Sequence, residues 1–150
     1  MSRVYVTGGN GFLGSSVVAG LAAATGTELV VSGDVRDPAA SVADVVYERA
    51  DITRPDVLIE QLRKHRIDTV VRLAAIMTPG PHITREQEFL VDVGGTRNVL
   101  DACLVTGVKR IVVSSSGAAY GYHSDNPEWI TESDALRGNP EFAYSDHKRI

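Results

Sequence analysis

A tyrosine and a lysine four positions apart, Tyr144 and Lys148, are the side chains of this sequence best suited to acid/base chemistry. Residues spaced by four lie on one face of a helix, so the ammonium of the lysine can stabilise the phenolate of the tyrosine. Free tyrosine has a pKa of about 10, so a tyrosine that exchanges protons near neutral pH needs positive charge nearby. The pair predicts a general acid/base, although five tyrosines and three lysines also allow a chance pair.

Three consecutive serines, Ser114, Ser115 and Ser116, follow the short apolar run at 111–113. A serine hydroxyl can donate a hydrogen bond to a substrate oxygen. The same run also suits an ordinary turn at the end of a strand. The serines therefore indicate a site only together with the tyrosine and lysine that come later in the chain.

Three glycines spaced by three, Gly8, Gly11 and Gly14, come directly after an apolar segment and open a predicted helix. Glycine lets the backbone turn sharply and approach a pyrophosphate, while the helix N-terminus offers unpaired N–H groups and partial positive charge. The spacing predicts a phosphate site for a dinucleotide. A strand-to-helix turn can also need glycine for steric reasons alone.

An acidic residue, Asp34, stands twenty positions after Gly14, where the second strand is predicted to end. A carboxylate there can accept hydrogen bonds from the adenosine ribose hydroxyls, which favours NAD over NADP as the cofactor. Arg36 weakens that preference, because an arginine can pair with the 2′-phosphate of NADP. The alternative is that Asp34 and Arg36 are ordinary turn residues.

These candidate residues lie at the ends of strands and helices that alternate along the chain. Short β-branched runs predict strands, and longer stretches with helical periodicity predict helices. We expect strands near 3–7, 28–33, 44–49, 68–74 and 109–115, and helices near 11–25, 54–65, 84–106 and from about 141 onward. The alternation predicts an α/β fold with a doubly wound parallel sheet.

Two details of the helices are also predicted. Thr53 is expected to cap the helix near 54–65, because threonine accepts hydrogen bonds from the free N–H groups of a first turn. Gly94 and Gly95 lie within the helix near 84–106, where each costs about 1 kcal/mol of helix propensity. We expect that this cost is offset by close backbone packing.

Composition excludes several classes of protein. The 150 residues, 43% hydrophobic and 23% charged, fit one soluble globular domain. The net charge of −4 has no run of like charge, which argues against nucleic acid as a partner. Cys103 is the only cysteine, so no internal disulfide can form, and no Cys/His spacing suggests a metal site.

The sequence also lacks the pattern of a signal peptide and any apolar run long enough to cross a bilayer. We therefore expect a cytoplasmic protein with no membrane partner. The histidines have no ligand-like spacing, and we expect each of them on the surface or in a loop: His65, His82, His123 and His147.

In this order, the motifs resemble those of the extended short-chain dehydrogenase/reductases, the NAD-dependent epimerase/dehydratase family. The resemblance covers essentially the whole chain and implies a Rossmann fold with NAD as cofactor. Its marks are the segments 7–14, 51–52, 68–75, 95–96, 98–99 and 114–121 and the pair Tyr144 and Lys148.

The family's site residues can be carried over to matching positions. The resemblance implies that Tyr144 is the acid/base, that Lys148 stabilises its anion and holds the nicotinamide ribose, and that Ser116 donates to a substrate oxygen. It places Asp51 and Ile52 at the adenine and Ser114 at the nicotinamide. Tyr144 is implied to contact the cofactor as well. The remaining residues implied to bind it are Gly8, Gly11, Phe12, Leu13, Gly14, Asp34, Arg36, Leu73, Ala74 and Ala75.

The chain departs from the family pattern in two respects. Sugar dehydratases of the family usually have an Asp-Glu pair where this chain has Gly117 and Ala118, so dehydratase chemistry is disfavoured. The family often has His in place of Arg72 and Asn in place of Asp92. We interpret Arg72 as lying behind the site and Asp92 as a change near the nicotinamide.

The resemblance implies an epimerase or dehydrogenase that oxidises a sugar hydroxyl of a nucleotide sugar. The alternatives are a reductase of small carbonyl compounds that uses NAD(P)H, and a non-catalytic module that senses the dinucleotide. A homodimer through the helices near 84–106 and 141 is also implied. We expect 1–150 to be a cofactor domain cut after the fifth strand, inactive without a substrate domain.

Overall fold

Five parallel strands form the central sheet of the computed structural model, which describes all of residues 1–150. The strands are β1 (Ser2–Thr7), β2 (Thr27–Asp34), β3 (Val45–Arg49), β4 (Thr69–Arg72) and β5 (Arg110–Val113). Their order in the sheet is β3-β2-β1-β4-β5. The predicted doubly wound parallel sheet is confirmed, and the reversal of strand order beside β1 leaves a crevice at the carboxyl ends of the strands.

Helices lie on both faces of this sheet, close to their predicted positions. They are α1 (Phe12–Ala23), α2 (Pro55–Lys64), α3 (Arg85–Phe89), α4 (Gly95–Thr106) and α5 (Ala143–Lys148). A π-helical turn, Leu90–Gly94, joins α3 to α4, so the helix predicted near 84–106 is continuous but has one wide turn. A short 3-10 helix, Gly117–Tyr120, follows the serines after β5. No helix has both the length and the apolar character needed to cross a bilayer.

Alternate residues of β1 enter two separate cores, one on each face of the sheet. Val4 and Val6 pack with Val18 of α1. Tyr5 faces the opposite way, into a larger core to which α2 and α4 contribute. Since a slip of one residue would exchange the two faces, this alternation fixes the register of β1 and hence the point where the chain leaves the sheet at Gly8.

Tyr5 is a buried tyrosine with a purely structural role. Its hydroxyl donates to Oε1 of Gln61 at 2.5 Å. Burial, together with the charge of Glu48, raises its pKa above the ordinary range. A phenol this reluctant to ionise is not suited to acid/base chemistry near neutral pH.

The predicted role of Thr53 as a helix cap is wrong. Helix α2 begins at Pro55, its N-cap is Arg54, and no side chain caps it. The N–H and hydroxyl of Thr53 both donate to Asp51 Oδ1, at 2.9 and 2.8 Å. Because both groups of Thr53 are bonded to the Asp51 carboxylate in the turn before the helix, the threonine side chain does not cap α2.

The expected close packing at the glycine pair is found at one of the two positions. A methyl group on Gly95 would lie 2.5 Å from Cδ1 of Ile52, whereas one on Gly94 would meet nothing nearer than the Phe89 carbonyl oxygen at 4.0 Å. Ile52 is buried, and its carbonyl accepts a hydrogen bond from Asn98. Gly95 therefore lets α4 sit close to the loop after β3.

We expect alanine at these two glycines to change stability in opposite directions. Gly94→Ala should raise the free energy of unfolding by up to about 1 kcal/mol, because alanine favours the helix and meets open space. Gly95→Ala should lower it by about 1–3 kcal/mol through overpacking against Ile52. Urea unfolding of both variants measures the difference, and equal changes would contradict the packing described here.

Candidate functional site

The candidate site residues gather at the carboxyl ends of β1, β4 and β5. The glycine turn at 8–14 follows β1, the segment 73–75 follows β4, and the serines at 114–116 follow β5. Backbone hydrogen bonds extend the pairing past the strands: the Leu73 N–H donates to Thr7 and the Ser114 N–H to Arg72, both at 3.1 Å. The three segments thus border one crevice.

Two of the three glycines are required by packing within the turn. Gly8 has a left-handed φ of +70°, and a methyl group there would lie 2.7 Å from the Ala74 nitrogen. A methyl group on Gly14 would overlap the carbonyl oxygen of Gly8. These contacts bring the start of α1 tightly against the sheet and against the segment after β4.

The first turn of α1 offers unpaired donors at the crevice. The N–H groups of Phe12, Leu13 and Gly14 donate to no backbone acceptor, Gly11 provides no side-chain cap, and the first turn has no acidic residue. The side chains of Phe12 and Leu13 are exposed. Free N–H groups and the helix dipole together favour an anion, so this turn fits a pyrophosphate through its backbone.

Asp34 and Arg36 lie beside the glycine turn. Asp34 is buried, and its carboxylate accepts from the N–H groups of Asn10 at 3.1 Å and Arg36 at 3.0 Å. The Arg36 side chain remains mostly exposed, with Nε 3.4 Å from the Asp34 carboxylate. One anion and one cation therefore stand together where the sequence predicts the adenosine ribose.

Asp51 and Ile52 follow β3 and differ in exposure. Asp51 is exposed, whereas the side chain of Ile52 belongs to the larger core. The N–H of Ile52 donates to no backbone acceptor. Any contact of Ile52 with a ligand must therefore come from its backbone.

Helix α5 brings Tyr144 and Lys148 together beside the end of β5. The Lys148 Nζ lies 5.4 Å from the centroid of the Tyr144 ring. It also donates to the Ser114 carbonyl at 2.8 Å. Both side chains are half-buried, so they are partly shielded from water but still reachable.

Ser116 has a local structural role as well as its predicted one. Its Oγ accepts from the Ala118 N–H at 3.2 Å and so caps the short 3-10 helix. Because the bond uses a lone pair of the oxygen, the hydroxyl proton is still free to be donated. Ser116 thus combines the turn function and the capacity to donate to a substrate.

Ser145 is an anchor of α5 that the sequence did not reveal. It is fully buried, and its hydroxyl donates to the Ala118 carbonyl at 2.6 Å. The bond ties α5 to the 3-10 helix after the serines. A serine next to Tyr144 carries no signal of this kind by itself, because its partner is 27 residues away in the chain.

The expectation that every histidine is on the surface or in a loop is wrong for His147. This side chain is buried in α5, where its Nδ1 lies 3.1 Å from the Asp92 carboxylate. Arg72 is buried too and donates to the Asp92 carbonyl at 3.0 Å. The two departures from the family pattern are therefore in contact, and His147 joins them.

The electrostatics of Lys148 reflect these neighbours. Burial lowers its pKa, the nearby Arg72 guanidinium lowers it further, and the Asp92 carboxylate acts in the opposite direction. Burial also lowers the pKa of Arg72, with Asp92 again opposing the shift. Asp92 is thus the anion that favours both cations.

The chain resembles known proteins in sequence and in fold. The NAD dependent epimerase/dehydratase family matches residues 4–150. The chain is 33% identical over 132 residues to a UDP-glucose 4-epimerase of Halalkalibacterium halodurans, an overlap of 87% of this chain and 39% of that protein.

Solved structures give the same result. A UDP-glucose 4-epimerase from Brucella ovis in complex with NAD has a TM-score of 0.82 at 30% identity and covers 99% of this chain and 45% of its own. A short-chain dehydrogenase/reductase superfamily protein from Agrobacterium tumefaciens with bound NAD has a TM-score of 0.79 at 30% identity, covering 98% and 42%. The chain spans about two fifths of the length of such relatives.

We expect Ser145→Ala to lower the free energy of unfolding by about 1 kcal/mol, because it removes a buried hydrogen bond to the Ala118 carbonyl, which keeps the Gly121 N–H as its other donor. Ser133→Ala, at an exposed serine, is the matched control and should change it by less than about 0.5 kcal/mol. Urea unfolding measures both. A Ser145 variant as stable as the parent would show that the bond does not anchor α5.

Proposed function

The chain belongs to the NAD-dependent epimerase/dehydratase family, and we propose that its protein is an NAD-dependent epimerase that acts on a sugar hydroxyl of a nucleotide sugar. The observation that carries this proposal is the position of the Lys148 ammonium, 5.4 Å from the centre of the Tyr144 ring and bonded to the Ser114 carbonyl. That pair and the glycine turn both lie at the carboxyl ends of the strands.

The residues around the crevice at the carboxyl ends of the strands fit a dinucleotide. The free N–H groups of Phe12, Leu13 and Gly14 suit the pyrophosphate, and Asp34 suits the adenosine ribose. Asp51, Ile52 and the segment 73–75 would line the adenine side and the groove, and Ser114 and Lys148 the nicotinamide end. When bound, NAD supplies a site that accepts a hydride and gives it back.

Acid/base chemistry falls to Tyr144. Its phenolate would take the proton of the sugar hydroxyl and return it at the end of the reaction. The Lys148 ammonium would stabilise the negative charge on Tyr144 during the transfer, and Ser116 would donate its free hydroxyl proton to the same sugar oxygen. In an epimerase the ketone is then reduced from its other face, which requires the sugar to turn within the site.

Dehydratase chemistry has no acid in the corresponding position. Gly117 and Ala118 lie in the 3-10 helix directly after Ser116, and neither can protonate a leaving hydroxyl. This supports epimerisation or simple oxidation over water elimination.

The nucleotide-sugar substrate and the homodimer belong to the proposal. Two of the three relatives described above are UDP-glucose 4-epimerases, and the chain corresponds to about two fifths of their length, so most substrate contacts would come from elsewhere in the protein. The proposed dimer would use α3, α4 and α5. Exposed Leu90 and Leu104 on the long helix are compatible with such a seam.

We expect Tyr144→Phe to lower kcat for epimerisation of UDP-glucose by at least about 100-fold, since it removes the proton-exchanging group. NAD binding, measured by calorimetry, should stay within about threefold because the ring is kept. Tyr47→Phe, on the far edge strand β3, is the control and should retain kcat. These assays use the complete gene product. Unchanged turnover in the Tyr144 variant would exclude it as the base.

We expect Asp34→Asn to shift cofactor preference toward NADP. Loss of the carboxylate removes a charge-assisted acceptor for the ribose and the repulsion toward a 2′-phosphate, so the ratio of NAD to NADP affinity should fall by about tenfold or more. Arg36→Gln should not lower that ratio. An unchanged ratio in the Asp34 variant would show that Asp34 does not face the ribose, and a parent that prefers NADPH with small carbonyl substrates would favour the reductase alternative.

A further inference from the structure

We propose that His147, Asp92 and Arg72 form a buried clasp that positions α5, and that His147 is thereby a positioning residue for Tyr144 and Lys148. This proposal rests on the function proposed above for the catalytic pair. The name "clasp" refers to these three side chains.

The bond between His147 and Asp92 has a defined direction. Nδ1 of His147 lies 3.1 Å from Asp92 Oδ2, and the two side chains are only 2% and 5% exposed. The clasp requires an ionised Asp92, which can only accept, and Nδ1 of His147 as the donor, from either a neutral or a cationic ring. The other oxygen of Asp92 accepts from the Ile76 N–H at 2.9 Å. Both oxygens are therefore occupied by donors.

Arg72 is the third member of the clasp and bonds to the backbone of Asp92. It is 2% exposed, and its Nη2 donates to the Asp92 carbonyl at 3.0 Å. Its Nε is buried without any hydrogen-bond partner. A buried guanidinium this poorly satisfied depends on a nearby anion. Its hydrogen bond goes to the Asp92 backbone carbonyl, and the Asp92 carboxylate acts on it by charge, opposing the lowering of the Arg72 pKa by burial.

The backbone of Asp92 is part of the π-helical turn. Asp92 lies within Leu90–Gly94, and its carbonyl accepts from the Thr96 hydroxyl as well as from Arg72. Two side chains therefore hold this carbonyl at the point where the long helix has its wide turn.

Helix α5 needs such support because it has only six residues and little stability of its own. Its other ties to the long helix are weaker. Asp146 pairs with Arg85 at 2.9 Å, but Arg85 is 46% exposed, and surface pairs contribute little. The edge contact between Phe89 and the His147 ring, 5.5 Å between centroids, is apolar and sets no hydrogen-bond direction.

The position of His147 connects the clasp to the catalytic pair. It directly precedes Lys148 and comes about one helical turn after Tyr144 in the same short helix, so a shift of the helix at His147 would displace both. Asp92 also opposes the effect of Arg72 on the pKa of Lys148. The carboxylate thus holds α5 in place and favours the ammonium that the tyrosine needs.

The test compares His147→Leu with His147→Asn in the complete gene product. Asparagine places an amide N–H close to where Nδ1 lies and keeps the bond to Asp92, whereas leucine fills the space without a donor. We expect kcat for the nucleotide sugar to fall by about tenfold in the leucine variant, with KM within about twofold, and to stay within about threefold of the parent in the asparagine variant. Arg85→Gln is the control and should leave kcat unchanged. Equal losses in the leucine and asparagine variants would overturn the clasp.

A second measurement is independent of activity and of the folding of any variant. Nitrogen NMR of the parent should show His147 protonated at Nδ1, either as that neutral tautomer or as the cation. A neutral ring protonated at Nε2 would overturn the proposal. If the parent turns over no nucleotide sugar, the proposed function fails, while the NMR result still decides the clasp.

Discussion

The hydrogen bond from the Lys148 ammonium to the Ser114 carbonyl joins α5 to the sheet, and the candidate site depends on that joint. Ser114 is itself fixed, because its N–H and hydroxyl both donate to the Arg72 carbonyl at the end of β4. The ends of β4 and β5 therefore determine where α5 lies relative to the parallel sheet. A six-residue helix would not hold a tyrosine in place without it.

The two halves of the crevice obtain their polarity in different ways. At the glycine turn no cation is needed, since the free N–H groups and dipole of α1 provide partial positive charge. At α5 the positive charge is a real ammonium, kept beside a second buried cation by one shared carboxylate. The first arrangement suits tight binding of a fixed anion. The second suits a group whose charge changes during a reaction.

The features of the fold that could be predicted from the sequence are those that depend on neighbouring residues in the chain. The alternating apolar runs predicted the strands, and the glycine spacing predicted the turn before α1, because both depend on neighbours in sequence. The cap at Thr53 was wrong because the competing carboxylate of Asp51 could not be weighed from propensity. The prediction that His147 lies on the surface or in a loop was wrong because its partner, Asp92, is 55 residues away in the chain. The unusual pair at 72 and 92 was the only sequence signal of that contact.

The central claim is that Tyr144 exchanges a proton with the sugar hydroxyl that is oxidised. A crystal structure of the complete gene product with NAD and a nucleotide sugar tests it most directly. We expect the Tyr144 hydroxyl and the Ser116 hydroxyl both to lie about 2.6–3.2 Å from one sugar oxygen, with the nicotinamide against the same carbon. A sugar held at another edge of the sheet, or more than about 6 Å from the Tyr144 hydroxyl, would contradict it.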